Sequence, residues 1–432
     1  MKHFFKSIIV AILTLEAKIA LSRWRPKIIA VTGSVGKTST KDAIYTVFSK
    51  ITSARRSEKS FNSDLGVPLT ILGLKNAWGN PFLWLIEIIR GLFTALANSD
   101  KTEWLILEIG ADHPGDIKNL TKWINPDISV INKIGDLPVH VEFFESKEAL
   151  VREKSFLAKA LKPNGVLVYY ADDEQIRKIA DGSHNKNLIS FGFNASSNVL
   201  ASNYMIIYNK DNAMPSGISF KVEFGGNTIP VIMEGALGRS HAYPALAAIA
   251  VAIAAKQNIA LSGEALRKHK TPPGRMKLIG GIKDSLIIDD TYNSSPAAAF
   301  EAIKTLKEIN IAGRKIAVLG DMRELGKYSR QAHIDLGKEV VGTANILCTV
   351  GESGKIIAEG ALQYGMDENR IFQYENSREA GMEIQNLIQK GDIVLVKGSQ
   401  GVRMEKIIEE IMAEPDRAGE LLVRQEKEWK KR

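Results

Sequence analysis

The chain has 432 residues, 45% hydrophobic and 25% charged, with a formal net charge of +8. That length fits two or three domains with real cores and excludes a disordered or fibrous chain. A single cysteine, Cys348, excludes a disulfide framework and a multi-cysteine zinc site and suits a reducing cytoplasm, and without a long basic run carrying interleaved aromatics the positive excess points to anionic small substrates or a membrane surface, not nucleic acid.

Phe4 to Leu15 is apolar apart from Lys6, Ser7 and Thr14. The run is too short to span a bilayer, and no small-residue cleavage site follows to mark a secretory signal. Phe5, Ile8, Ile12, Leu15 and Ile19 fall at helical spacing, so residues 1–26 read as an apolar helical segment. Two roles stay open: packing on its own domain, or contact of residues 4–20 with a membrane surface or a protein. Pro81 to Phe93 poses the same choice. A core helix is the expectation there, with Trp84 and Phe93 as the residues an interface would use.

Between these segments, Ile28, Ile29 and Val31 form a β-branched run that breaks into Gly33-Ser34-Val35-Gly36-Lys37-Thr38-Ser39. A strand, a glycine turn and a helical pattern from Asp42 to Phe48 make the layout of a phosphate-binding loop. The glycines let backbone N–H groups approach phosphate, Lys37 adds a point charge, and the Thr38 hydroxyl can ligate Mg²⁺. Only Ser34 and Val35 separate Gly33 from Gly36-Lys37, two fewer residues than the common pattern. An ordinary turn that carries a lysine is the bland alternative.

Further strands are expected at Trp104 to Glu108, Ile128 to Ile131, Gly165 to Tyr169 and Leu188 to Phe191, alternating with amphipathic segments in the rhythm of a helix-covered parallel sheet. From Asn198 to Met233 the pattern changes to short alternating strands, with turns expected at Pro215-Ser-Gly217 and Gly225-Gly-Asn227, as in a small antiparallel appendage. Ala236 to Ala255 reads as an alanine-rich helix. Thr271-Pro-Pro-Gly274 is a strong breaker and a linker. Beyond it, Leu286 to Ile288, Lys315 to Leu319, Ile346 to Val350 and Ile393 to Val396 alternate with helices again, and Glu414 to Arg432 is a charged helix or tail. The expected fold is therefore α/β. A central phosphate-loop ATPase domain with a parallel sheet covers residues 27–271, and a Rossmann-like C-terminal α/β domain covers 272–432.

Acidic and histidine residues just after strands stand where open α/β sheets place ligands. Glu108 closes its strand and could reach Mg²⁺ held by Thr38, or be a helix cap. His140 lies in a loop after Ile131, where a structural or exposed role is the default. Lys154 sits in the helical run Glu148 to Leu161, where a surface lysine is the default.

Several stretches, in order, resemble the Mur ligases, the ATP-dependent amino-acid ligases of peptidoglycan synthesis. They are the shortened Gly-x-x-Gly-Lys-Thr loop, Ser60 to Pro68, Glu108 to Ile117, Asp289 to Pro296, Val318 to Gly326 and Leu395 to Ser399. Within the family they are most similar to the branch that adds D-alanyl-D-alanine to a UDP-muramoyl tripeptide. The resemblance implies ATP bound by Gly33, Ser34, Gly36, Lys37, Thr38 and Ser39, with Arg275 and Asp290 contacting nucleotide from the domain junction and Tyr292 and Asn293 in the same segment as Asp290. It implies Mg²⁺ on Thr38 and Glu108, a second Mg²⁺ on His140 and Lys154, and carbamylation of Lys154. Lys37, Lys154 and His140 are then the catalytic set.

The family's UDP-binding domain precedes the phosphate loop, and about thirty residues stand there in this sequence, so weak recognition of UDP is expected. Gly238 to Pro244, with His241 and Pro244, departs from the family's adenine-contacting pattern, and the loop from Gly135 to His140 is about two residues longer than the family's. A related ligase of folylpolyglutamate or cyanophycin type, or a non-catalytic nucleotide-binding scaffold, is the alternative.

Overall fold

The computed structural model describes residues 2–57, 59–97, 102–134, 144–184, 187–426 and 429. A 23-residue helix, α1 (Lys2–Trp24), leads into strand β1 (Lys27–Thr32) and then α2 (Lys37–Ile51). Around β1 the chain builds β2 (Ala54–Arg56), α3 (Gly66–Leu72), α4 (Pro81–Leu96), β3 (Trp104–Glu108), α5 (Asp116–Leu120), β4 (Ile128–Ile131), α6 (Lys147–Lys159), β5 (Val166–Tyr170), α7 (Glu174–Asp181) and β6 (Leu188–Gly192). Then come β7 (Val199–Tyr208), β8 (Pro215–Phe224), β9 (Asn227–Glu234), α8 (Arg239–Ala254) and α9 (Ile259–Arg267).

The first sheet has nine strands in the order β2-β3-β1-β4-β5-β6-β7-β8-β9. Pairing is parallel from β2 through β7 and antiparallel from β7 to β9. Its central strands are buried on both faces, which is why they read as continuous apolar runs. One face is covered by α2 and by α8, an alanine-rich helix buried along its length. On the other face, Ile9, Leu13, Ala17 and Ala20 of α1 join Leu105 and Leu107 of β3 and the apolar residues of α3. The antiparallel strands exist where expected and extend the parallel sheet at one edge. The expected turn at Pro215 to Gly217 is instead the start of β8, and the chain reverses over residues 209–214.

The second sheet is formed by β10 (Lys277–Gly280), β11 (Leu286–Asp290), β12 (Lys315–Gly320), β13 (Ile346–Val350), β14 (Ile371–Tyr374) and β15 (Ile393–Lys397), in the order β10-β11-β15-β12-β13-β14. Only β10 runs antiparallel to its neighbour. Helices α10 (Pro296–Glu308), α11 (Ser329–Val340), α12 (Gly354–Gln363), α13 (Ser377–Leu387) and α14 (Glu405–Ile411) complete it. The two sheets are tied where the chain passes between them. The Leu237 amide donates to the Met276 carbonyl at 3.2 Å, and the Leu278 amide to the Gly235 carbonyl at 2.9 Å. Gly274 holds φ at 71°, and a Cβ there would stand 2.8 Å from the Tyr292 nitrogen, so the linker bend needs glycine. Residues following the carboxyl ends of β1, β3, β11 and β15 line one cleft between the sheets.

Candidate active site

The turn after β1 begins at Gly33, with φ of 148°, where a Cβ would sit 2.7 Å from the Asn132 Cβ at the end of β4. Any side chain would push the two strand ends apart. The Ser34 and Val35 amides donate to the Lys133 carbonyl at 2.9 and 3.2 Å, which pins the loop to β4. Gly36 precedes α2 in the left-handed region, and no side chain caps the helix. The helix N-terminus is therefore left open to an anion.

Two amines meet at this loop. Lys37 Nζ donates to the Gly33 carbonyl at 2.9 Å, and Lys154 Nζ donates to the same oxygen at 3.0 Å. Lys154 is not the surface lysine that a helical position suggests by default. The Ser146 cap starts α6 so that Leu150, Lys154 and Leu157 face inward. Burial, and then the neighbouring Lys37, hold the Lys154 amine well below its ordinary value. Burial lowers Lys37 as well, and Glu108 opposes that shift.

Glu108 collects the hydroxyls. Its Oε1 accepts from Thr38 Oγ1 at 3.1 Å, Ser60 Oγ at 2.6 Å and Asn62 Nδ2 at 3.2 Å. Its Oε2 is buried without a hydrogen bond, 3.8 Å from Lys41 Nζ. Lys41 is itself fully buried, paired with Asp42 at 3.4 Å and donating to the Lys59 carbonyl at 3.0 Å. A carboxylate and a hydroxyl side by side, with one carboxylate oxygen unsatisfied, form a donor set that fits a hard divalent cation. Glu108 is thus not a helix cap.

At the junction, Arg275 lies over the Tyr292 ring at 4.0 Å and lines both parts of the cleft. Its carbonyl accepts from His241 Nε2 at 2.7 Å, and burial pushes that imidazole down to about 4, so it is a neutral strut for the linker. Asp290 pairs with buried Lys397 at 2.6 Å, and Lys397 also donates to the Asn293 carbonyl at 3.0 Å. Next to it, Asp289 accepts from the Gly274 amide at 2.7 Å and from Thr291 Oγ1 at 2.6 Å, with burial raising its carboxyl to about 6.

The cleft has two parts. A narrow cavity of about 110 Å³ includes Val35, Tyr170, Phe191, Tyr243, Pro244 and Met276 in its walls. A polar one of about 700 Å³ runs from Gly33, Lys37, Thr38, Glu108, Asp112 and Lys154 across to Arg323, Gln400, Arg403 and Trp429. Ser34 lines this polar part, Ser39 the narrow one and Gly36 both. The sequence-derived set therefore converges, except for His140, which lies outside the described residues. Sequence reading missed Lys41, Asn132 and Lys397. Lys41 follows Lys37 by one helical turn and Lys397 ends a strand, but neither position distinguishes a buried lysine from an exposed one.

Comparison with known proteins places these residues in company. The Mur ligase middle domain matches residues 31–252, and the Mur ligase, glutamate ligase domain matches residues 274–400. UDP-N-acetylmuramoyl-tripeptide–D-alanyl-D-alanine ligase of Bacillus subtilis is 28% identical over 413 residues, spanning 92% of this chain and 79% of that protein. The protein of the same name from Rickettsia prowazekii is 28% identical over 395 residues, spanning 89% and 78%. Among solved structures, MurF from Acinetobacter baumannii superposes with a TM-score of 0.76 at 26% identity, covering 93% of this chain and 79% of that one. MurF ligase from Thermotoga maritima in complex with ADP superposes at 0.75, with 24% identity and coverage of 93% and 83%.

Proposed function

The chain belongs to the Mur ligase family, and from that premise we propose that it joins D-alanyl-D-alanine to a UDP-N-acetylmuramoyl-tripeptide, converting ATP to ADP and phosphate in cytoplasmic peptidoglycan-precursor synthesis. One observation carries the reading: the Thr38 hydroxyl and the Glu108 carboxylate meet beside the phosphate loop, in a cleft whose far wall comes from the second sheet. The relatives named above support the choice of acceptor and amine. Among the described residues, no helix is long and apolar enough to cross a membrane.

In the proposed reaction a peptide carboxylate oxygen attacks the γ-phosphorus of ATP, and ADP leaves with the bridging oxygen. The resulting acyl phosphate is attacked at its carbonyl carbon by the incoming amine. Phosphate departs as the C–N bond forms, and the amine loses its proton. Positioning and charge neutralisation dominate the phosphoryl step. Lys37 and the open N-terminus of α2 supply fixed positive charge for the phosphates, with Gly33, Ser34, Gly36 and Ser39 shaping the loop. Mg²⁺ would be held by Thr38 and Glu108, with a second ion on Lys154 and His140, and supplies charge neutralisation for the β,γ-phosphates. The narrow apolar cavity suits a purine ring. Arg275 and Asp290 close the junction over the nucleotide and exclude water.

Lys154 fits the role only as an anion. A neutral amine can take up CO₂ with loss of one proton and become a carbamate, and burial beside Lys37 favours the neutral amine.

The test is phosphate release from ATP with UDP-N-acetylmuramoyl-tripeptide, with and without D-alanyl-D-alanine. Turnover that needs both supports the proposal. Turnover only with a folate or aspartate-polymer acceptor favours the other ligase classes, and nucleotide binding without any acceptor-dependent turnover favours a scaffold.

A further inference from the structure

Helix α4 is built inside out. Asn80 caps it, accepting from the Phe82 and Leu83 amides, and Pro81 starts it. Its buried positions are Trp84, Glu87, Gly91 and Ala95, a stripe that contains the helix's one carboxylate. Its outward face carries leucines, isoleucines and phenylalanines, with Phe82 69% and Phe93 70% exposed. A helix facing water shows the reverse distribution. The expectation of a core helix therefore fails for most of its apolar residues. Phe93 is exposed, whereas Trp84 is buried with its indole N–H bonded to the Trp78 carbonyl at 2.8 Å.

Helix α1 beside it buries Ile9, Leu13 and Ala17 but has a second apolar stripe that faces outward. Ile8, Ile12 and Leu15 are exposed in one stripe while Glu16 is buried. The two helices approach closely at Gly91, where a Cβ would stand 2.2 Å from Glu16 Oε2. Both acids of the pair, Glu16 and Glu87, are thus turned inward; of the outer cations, Arg90 pairs with Glu87 at 2.8 Å and Lys6 with Asp64 at 3.8 Å, so Lys18 and Arg23 carry the positive excess of these helices. An exposed apolar face of this extent marks an interaction site. A second copy of the same face would set these cations against one another, whereas acidic lipid headgroups complement them.

We propose that the α1–α4 face docks on the surface of a bilayer containing anionic lipid, with its apolar side chains at the headgroup–acyl boundary and its cations on lipid phosphates. Trp78, exposed on the turn before α4, sits where interfacial aromatics belong. Among the described residues no helix is long and apolar enough to cross a membrane, so the proposed contact is with its surface. This reading is independent of the ligase reaction.

The test is co-sedimentation of the full chain with phosphatidylcholine vesicles, with or without phosphatidylglycerol. Binding should require phosphatidylglycerol and weaken with added salt. Phe93→Glu should weaken it roughly thirty-fold by removing one buried aromatic. Lys18→Ala with Arg23→Ala should weaken it roughly 25-fold, about five-fold per cation. Both variants alter exposed side chains, and unchanged thermal melting certifies their fold. Absence of binding to either vesicle overturns the proposal, as does full binding by Phe93→Glu. A dimer dissolved by Phe93→Glu without vesicle binding also overturns it and assigns the face to a second copy.

Discussion

Two lysine amines on one carbonyl oxygen, at Gly33, are an arrangement that waits for an anion. Lys37→Ala should lower ligation roughly 10²–10³-fold, the usual loss for one transition-state donor, and phosphate-release kinetics check it. Lys154→Ala should be nearly inactive and partly restored by short carboxylic acids, which return the missing negative charge. Activity that survives this substitution would remove the carbamate from the mechanism. At this scale the sequence was informative wherever a motif fixed the backbone, as from Gly33 to Thr38. It was uninformative about burial. Lys41 and Lys154 look like surface lysines, and what sets them apart is the packing of α2 and α6 against the sheet, which no local pattern encodes.

Strands whose two faces are both covered were legible as apolar runs, so the central strands were placed within a residue or two. The three missed strands, β2, β10 and β14, are short edge or near-edge pieces with charged or polar residues, held by pairing more than by burial. Helix α4 was legible as a helix but not in orientation, because periodicity gives an apolar face without saying what it meets. The seam of α1 with α4 makes a pH prediction. Burial raises the Glu16 carboxyl to about 7 from 4.5. The protonated form is the one the fold accommodates, so its contribution is full below pH 4.5 and is lost as pH rises through 7. Glu16→Gln should therefore melt higher than the parent at pH 8, with the difference vanishing near pH 4.5.

At the scale of the whole molecule, residues far downstream fasten the end of the chain to the second sheet. Arg424 pairs with buried Glu405 at 3.0 Å and donates to the Thr291 carbonyl at 3.1 Å, and Lys59 of the first unit pairs with Glu426 at the surface. The segment from Glu414 was expected to be a charged helix or tail. Its described residues form a 3-10 turn (Pro415–Arg417) and a short α turn (Ala418–Leu421) and then fold back on the second sheet. Arg424→Ala should cost about 3 kcal/mol in urea denaturation, the usual loss when one partner of a buried pair is removed, and should raise the KM for ATP. Lys59→Ala should be near neutral, as loss of an exposed pair is.

Lys37 and Trp429 line the same cavity. At roughly 5–20 residues per second, the ribosome makes them roughly 20–80 s apart. A nascent chain therefore shows its phosphate loop long before the opposite wall exists. A translation stop before Lys277 would leave a nucleotide-binding half open to water, able to hold phosphates but not to shelter an acyl phosphate from hydrolysis.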